Sequence, residues 1–294
     1  MQSRAFLYAI WHFFTNFAAD FGRTIDEKQL STRNKKMQLT PEQIAQRRLQ
    51  AKLTKRFHKA CADYGLVADG DHILIGLSGG KDSLALVELL GKRAQVYVPN
   101  FQVTALHVRV RERAYISDIR ALEAFCESYK VPLLVRDTEI GEMPQEDKNG
   151  KTKDPCFLCS WYRRKLLFDT AQELGCNKIA LGHHKDDILE TLLMNLFYQG
   201  AFATMPPLLQ MEKMPLQVIR PLCLLSESDL RRYAELSDYP RQTKLCPFEK
   251  ASSRADIKEL LASLERFNPH IRDSLWGAME NVKTDYLPKR KFEL

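Results

Sequence analysis

No stretch of this 294-residue chain is long and apolar enough to cross a membrane. The nearest approach, MQSRAFLYAIWHFFTNFAADF at the N-terminus, carries Arg4 and is broken by His12. A weak secretory leader is the competing reading of that patch, and the basic, cysteine-containing body argues against export. There is no internal repeat and no low-complexity segment. Seven cysteines are present, but not in the pattern of a small secreted disulfide scaffold, so a reducing cytoplasm is the expected setting. C-x-x-C occurs once, at Cys156–Cys159, so a four-cysteine zinc site has no second half. Acid is in short supply: 37 Asp and Glu face 44 Lys and Arg, which suits a polyanionic partner or a solvated basic surface.

What is present begins in earnest at Met37. Residues 1–36 are expected to be an extension, disordered or the product of too early a start. Thr40-Pro41-Glu42-Gln43 reads as a helix start with Thr40 as cap, and a basic helix spans the 37–66 segment. Residues 35–59 hold eight Lys or Arg against Glu42 alone, a one-signed run that suits phosphate contact. Strands are then predicted at 72–77, 102–110, 131–137, 178–184 and 214–222. Helical patterns lie between them, at 83–94, 116–129, 158–174 and 187–198. Polar, Gly- and Pro-broken 141–155 reads as a loop. The expected fold is α/β: a parallel five-stranded sheet covered by helices on both faces, occupying 67–225. Residues 226–294 form a helical C-terminal region.

The densest chemistry follows the first strand. Ile73-Leu-Ile-Gly-Leu-Ser-Gly-Gly-Lys-Asp-Ser83 fails Walker A, because Gly76 and Gly80 are one residue too close and Asp82 separates Lys81 from Ser83. It also fails the dinucleotide fingerprint, because Gly79 and Gly80 are adjacent and no third glycine follows in register. What remains is a short turn opening a helix. The N–H groups of Gly79, Gly80 and the helix N-terminus can cradle phosphate, with Ser78 and Ser83 as hydroxyl donors. This turn resembles the PP-loop signature of the ATP pyrophosphatases, which adenylate a carbonyl oxygen and release pyrophosphate. The resemblance gives Asp82 a purpose, holding Mg²⁺ against the departing pyrophosphate. The structural alternative is a helix-capping carboxylate.

Ala180-Leu-Gly-His-His-Lys-Asp-Asp-Ile-Leu-Glu-Thr191 ends the fourth strand on the same rim. Asp186 and Asp187 open the next helix, to hold Mg²⁺, position a nucleotide or cap. Gly182 ends the strand. His183 and His184 lack partners at zinc spacing, which favours nucleotide or substrate contact. Cys156 and Cys159 alone fit a zinc half-site, a redox pair or cluster ligation. With Cys246, isolated in TKLCPFEK, they make three thiolates with one open position, which suits a [4Fe–4S] cluster. Cys61, Cys126, Cys176 and Cys223 read as ordinary buried residues.

SGGKDS, PCFLCSWYRRK, ALGHHKDDILET, the MPP at 205–207, the IRPL at 219–222 and a lone late cysteine occur in one order. That order and spacing resembles the TtcA family, the tRNA-cytidine(32) 2-sulfurtransferases, over roughly residues 40–287. The resemblance implies ATP, Mg²⁺ and a [4Fe–4S] cluster held by Cys156, Cys159 and Cys246. It also implies a homodimer acting on the anticodon loop of tRNA, with a cysteine desulfurase as sulfur source. Ser78, Gly79, Gly80, Lys81, Asp82 and Ser83 match the ATP loop. One departure is plain: the family's C-x-x-C-G-S around the third ligand is Thr243-Lys-Leu-Cys246-Pro-Phe here. The ligand is kept and the loop before it differs. The rivals within the superfamily are a lysidine synthetase, which does not need the cysteine triad, and a thiouridine synthetase, whose relevant group usually carries extra zinc-finger cysteines that are absent here. A non-catalytic nucleotide- or cluster-binding regulator is the alternative outside enzymes. Candidate tRNA contacts are the basic helix, Arg163-Arg164-Lys165, Arg231-Arg232 and Lys289-Arg290-Lys291, with Trp161 and Tyr162 available for stacking or packing.

Overall fold

The computed structural model describes residues 39–110, 115–116, 118–139, 155–241, 243–244 and 253–288. The 1–36 extension, Cys246 and the Lys289–Lys291 tail lie outside the described residues. The chain divides into two compact units, Met1–Ile44 and Ala45–Leu294.

Helix α1 (Pro41–Asp63) starts where Thr40 places it. The Thr40 hydroxyl accepts from Gln43 N at 3.2 Å, and Gln43 Oε1 accepts from Thr40 N at 3.0 Å, a reciprocal capping box. Then come β1 (His72–Gly76), α2 (Lys81–Ala94), β2 (Gln102–Val110), β3 (Tyr115–Ile116), α3 (Ile119–Ser128), β4 (Leu133–Thr138) and α4 (Pro155–Glu173). β5 (Lys178–Ala180) and α5 (Lys185–Met194) follow, and α5 runs into a wide π-helical turn, Asn195–Gln199. The remainder is β6 (Leu208–Gln210), β7 (Gln217–Ile219), α6 (Glu227–Leu236), β8 (Thr243–Lys244), α7 (Ser253–Phe267) and α8 (Ile271–Glu280).

The main sheet runs β4-β2-β1-β5-β7-β6. Its five parallel strands are the five the sequence predicts. The sixth, β6, pairs antiparallel with β7 at the edge, Leu208 opposite Ile219, and the sequence pattern does not mark it. β1 shows why both faces are covered. Its residues alternate, so Ile73 and Ile75 join the core with Leu53 and Phe57 of α1 and Leu84 of α2. Leu74 points the other way, into a second core with Leu167 and Ala171 of α4.

Strand order fixes where the site lies. From β1 the chain steps to β2 and β4 on one side, then returns to place β5 on the other. The order reverses between β1 and β5, and a crevice opens there outside the carboxyl ends of the strands. β3 and β8 form a separate two-residue ribbon beyond the end of β2, with Tyr115 opposite Lys244.

Candidate active site

The turn after β1 is shaped by its own side chains. Gly79 sits at φ +83°, a left-handed conformation that a side chain would strain. Ser83 Oγ donates to Gly80 O at 2.9 Å and lies 3.1 Å from Ser78 Oγ, while Gly80 N donates to Ser78 Oγ at 3.3 Å. Both hydroxyls therefore close the turn. The helix it opens is left without a cap. α1, α3, α5 and α6 each begin with a side chain that accepts from the first turn, whereas at α2 the N-cap is Gly80 and no side chain does so. The first-turn N–H groups of α2 are thus available to an anion.

Asp82 does not act as the missing cap. Its Oδ2 accepts from Lys81 Nζ at 3.0 Å, and its Oδ1 is buried without a hydrogen-bond partner. A buried carboxylate oxygen with nothing to accept from is costly, and it suits a cation that arrives with a phosphate. Lys81 is held from the far side by Glu227 of α6, whose Oε1 lies 3.6 Å from Nζ. Burial raises the Glu227 carboxyl, but Lys258, Arg231 and Lys81 overcome it and hold it down at about 2. Glu227 is a fixed anion beside Lys81, which lines a cleft of 540 Å³. Gly79, Gly80, Lys81 and Asp82 line one wall of this cleft, and Arg231, Tyr239 and Arg241 line the other.

The second loop of the rim presses directly on the first. A Cβ on Gly182 would stand 3.2 Å from Asp82 C and Ser83 N, so only glycine lets the β5 end approach the first turn of α2. His184 caps α5 by accepting from Asp187 N at 3.3 Å, and Asp187 Oδ2 accepts from His184 N at 3.0 Å. Asp186 is buried. Its Oδ2 accepts from Glu227 N at 2.7 Å, and its Oδ1 pairs with Arg272 of α8. Of the three carboxylates named from the sequence, Asp82 alone keeps an uncommitted buried oxygen. The structure joins Ser78 to Ser83, Gly182 and the PP-loop into one rim, with Asp186 and Asp187 holding the surrounding helices.

One residue the sequence did not mark is His107 on β2. Its Nδ1 donates to Leu77 O at 2.8 Å and so fixes the carbonyl before the turn. Burial pushes its pKa down, with Arg163 and Arg109 adding to the effect, so the ring is neutral at pH 7. Its signal in the sequence, a polar residue inside an apolar strand, was faint.

Of the three candidate ligand cysteines, Cys159 is placed at the end of β2. Cys156 and Cys159 lie three residues apart in the first turns of α4. Cys159 is a free, half-buried thiol that packs with Tyr162 against Val110 and Leu158. Trp161 beside it is 37% exposed. Tyr239, Pro240 and Arg241, on the PP-loop cleft, lead to β8. β8 pairs with Tyr115–Ile116, just beyond Val110. Cys246 itself lies outside the described residues, but Lys244, two residues before it, belongs to this corner. By contrast, burial pushes the thiols of Cys61 and Cys223 up to about 12 and those of Cys126 and Cys176 up to about 11, so these four are inert at pH 7.

A parallel sheet with an uncapped helix after β1 and a carboxylate in the turn defines a PP-loop protein, and the PP-loop domain family is matched over residues 45–242. The chain is 36% identical over 260 residues to the tRNA-cytidine(32) 2-sulfurtransferase of Shewanella loihica, covering 88% of this chain and 77% of that protein. It is 37% identical over 241 residues to that of Aliivibrio salmonicida, covering 82% and 78%. The chain belongs to the tRNA-cytidine(32) 2-sulfurtransferase family. In fold it is similar to the U34-tRNA thiolase NcsA from Methanococcus maripaludis, solved with its [4Fe-4S] cluster. The TM-score is 0.65 at 24% identity, over 82% of this chain and 81% of that one.

Proposed function

We propose that this chain converts cytidine 32 of tRNA to 2-thiocytidine, using ATP. The observation that carries the reading is the uncapped α2 N-terminus with the orphaned Asp82 oxygen, in a chain of this family. The Gly79–Gly80 turn and the first-turn N–H groups take the pyrophosphate. Lys81 moves from Glu227 to a phosphate oxygen. Asp82 Oδ1 is the side-chain atom that fits Mg²⁺, which supplies charge neutralisation at the departing pyrophosphate when bound. Asp186 and Asp187 position the rim by fixing α6, α8 and the His183–His184 turn around it.

The chemistry needs two steps. The C2 oxygen of cytosine attacks the α-phosphorus, and the bond to pyrophosphate breaks with its electron pair leaving on pyrophosphate. Hydrosulfide then adds to C2, and the C2–O bond breaks with its pair leaving on AMP. Loss of the sulfur-bound proton gives C2=S. Cys156, Cys159 and Cys246 would hold a [4Fe–4S] cluster, which would bind and supply the hydrosulfide. Arg163, Arg164 and the basic face of α1 bind the tRNA backbone, and Trp161 stacks an anticodon-loop base. A cysteine desulfurase as sulfur source, a homodimeric assembly and a cytoplasmic location complete the reading.

Nucleoside mass spectrometry of bulk tRNA from a deletion strain tests it. Selective loss of 2-thiocytidine, restored by the wild-type gene and not by Cys246→Ala, is expected. Loss of lysidine or a thiouridine instead would keep the PP-loop chemistry and overturn the substrate. No change in any nucleoside would favour a regulator.

A further inference from the structure

Three buried side chains among the described residues carry a formal positive charge: Lys178, Lys185 and Arg220. Two have a carboxylate. Lys178 Nζ meets Asp71 at 2.7 Å, and Lys185 pairs with Asp273. Arg220, 7% exposed, has no carboxylate at ion-pair distance among the described residues. Its Nε donates to His183 Nδ1 at 3.3 Å and its Nη1 to Pro206 O at 2.5 Å. Both contacts hold the guanidinium in place, and neither neutralises it. Cys223, whose charge would offset it, is kept a neutral thiol by burial, its pKa pushed up to about 12. A buried cation without a counter-ion is costly, and the cost falls when an anion arrives.

The position says which anion. Arg220 follows the last residue of β7, and Ile219 pairs with Ala180 of β5. Leu181 N donates to Ile219 O at 3.0 Å, and the next residue, Gly182, lies against the backbone of Asp82 and Ser83. Arg220, His183 and the first turn of α2 are therefore one continuous stretch of rim. With Nδ1 accepting from Arg220, the His183 ring carries its proton on Nε2 and steadies the guanidinium from the β5 side.

We propose that Arg220, held in place by His183, seats the α-phosphate of ATP and of the adenylated base, an inference that rests on the ATP-dependent reading above. The α2 N-terminus takes the pyrophosphate. The phosphate next to it along the nucleotide is the one transferred, and its non-bridging oxygens keep their charge in ATP, in the adenylated base and in AMP. A preset cation there needs no reorganisation while the bond to pyrophosphate breaks. The planar fork of an arginine matches two phosphoryl oxygens at once, which a lysine does not.

The test compares binding of AMP, adenosine and ATP to the full chain and to the variants Arg220→Met and Arg220→Lys. Wild type is expected to prefer AMP over adenosine. In Arg220→Met, adenosine binding stays and AMP binding weakens about ten- to a hundredfold, with Arg220→Lys between. The melting temperature of Arg220→Met without ligand is expected to hold, because an uncompensated buried charge has been removed along with two contacts. An Arg220→Met chain that keeps its AMP preference overturns the proposal and leaves ATP use standing. So does a collapse of folding in both variants, which would make Arg220 a strut for Pro206 and His183. A wild type that binds no ATP overturns the underlying reading itself.

Discussion

Glu88 is buried in the middle of α2, 1% exposed, and its carboxylate anchors the wall of the PP-loop cleft. Oε1 accepts from Tyr233 OH at 2.7 Å and Lys92 Nζ at 2.5 Å, and Oε2 accepts from Tyr239 OH at 2.6 Å. Burial pushes this carboxyl up, but the hydrogen bonds from Lys92, Tyr239 and Tyr233 outweigh it and hold the pKa below 4.5. Glu88→Gln keeps the shape and removes the charge. A hydrogen bond to a charged group contributes about 1.5–3 kcal/mol, and breaking a buried charged network costs about 3–5 kcal/mol in all. Lys92 is half exposed and regains water, so the lower end applies: about 3 kcal/mol, or roughly 6–12 °C in a domain of this size. The sign with pH follows from the depressed folded pKa. This stability is present above the unfolded carboxylate value of 4.5 and is lost as pH falls through the folded value. Urea denaturation of both proteins from pH 7 downward is the assay. The gap should be full at pH 7 and narrow on acidification. A loss under about 1 kcal/mol at pH 7, or a gap that widens in acid, refutes the reasoning.

Asp82→Asn should lower tRNA-dependent pyrophosphate release by about 10²-fold or more while the melting temperature holds, because Oδ1 has no internal partner to lose. Equal loss of both would make Asp82 a folding residue. Gly182→Ala forces a Cβ to 3.2 Å from the backbone of Asp82 and Ser83. It should cost about 1–3 kcal/mol of stability, read by urea denaturation, and disproportionately more in pyrophosphate release, since the shift falls on the phosphate cradle. Cys156→Ser, Cys159→Ser or Cys246→Ser should each lower iron content after anaerobic reconstitution and abolish 2-thiocytidine formation. Cys126→Ser, at a thiol pushed up to about 11 by burial, should lower neither.

The elements that could be read from sequence are those whose signal is local. Thr40 and Gln43 cap α1 through bonds three residues apart, and the apolar run Ile73–Ile75 declares β1. Strand ends were overdrawn where tertiary contacts stop the ladder. The predicted 178–184 strand ends at Ala180, because Gly182 must turn onto α2 and His184 must cap α5. The predicted 214–222 strand is only Gln217–Ile219. β6 is three residues without alternation, and β3 and β8 are two each, too short for any periodicity to show. The same divide runs through the site. SGGKDS is contiguous and was legible, whereas Glu227, His107 and Arg220 reach it from 146, 26 and 139 positions beyond Lys81, and no spacing rule connects them. Nor could the sequence say that Asp186 and Asp187 bond inward while Asp82 keeps an open oxygen.

In the proposed reaction, the sheet order would let activation and sulfur delivery share one rim without sharing residues. The crevice between the ends of β1 and β5 is where the phosphate cradle, Gly182 and His183 meet. The cysteine corner stands at the end of β2, the strand on the other side of β1. Two segments tie the corners together. His107 of β2 grips the carbonyl before the cradle, and Tyr239, locked to Glu88 of the cradle helix, leads through Arg241 to the β8 strand that precedes Cys246. Loosening Tyr239 should therefore separate the two half-reactions. Tyr239→Phe removes one donor from Glu88 and leaves the cradle's own bonds intact. Pyrophosphate release should survive in this variant while 2-thiocytidine formation falls, a split read by assaying both products in one reaction. Equal loss of both would mean that Tyr239 serves the cradle.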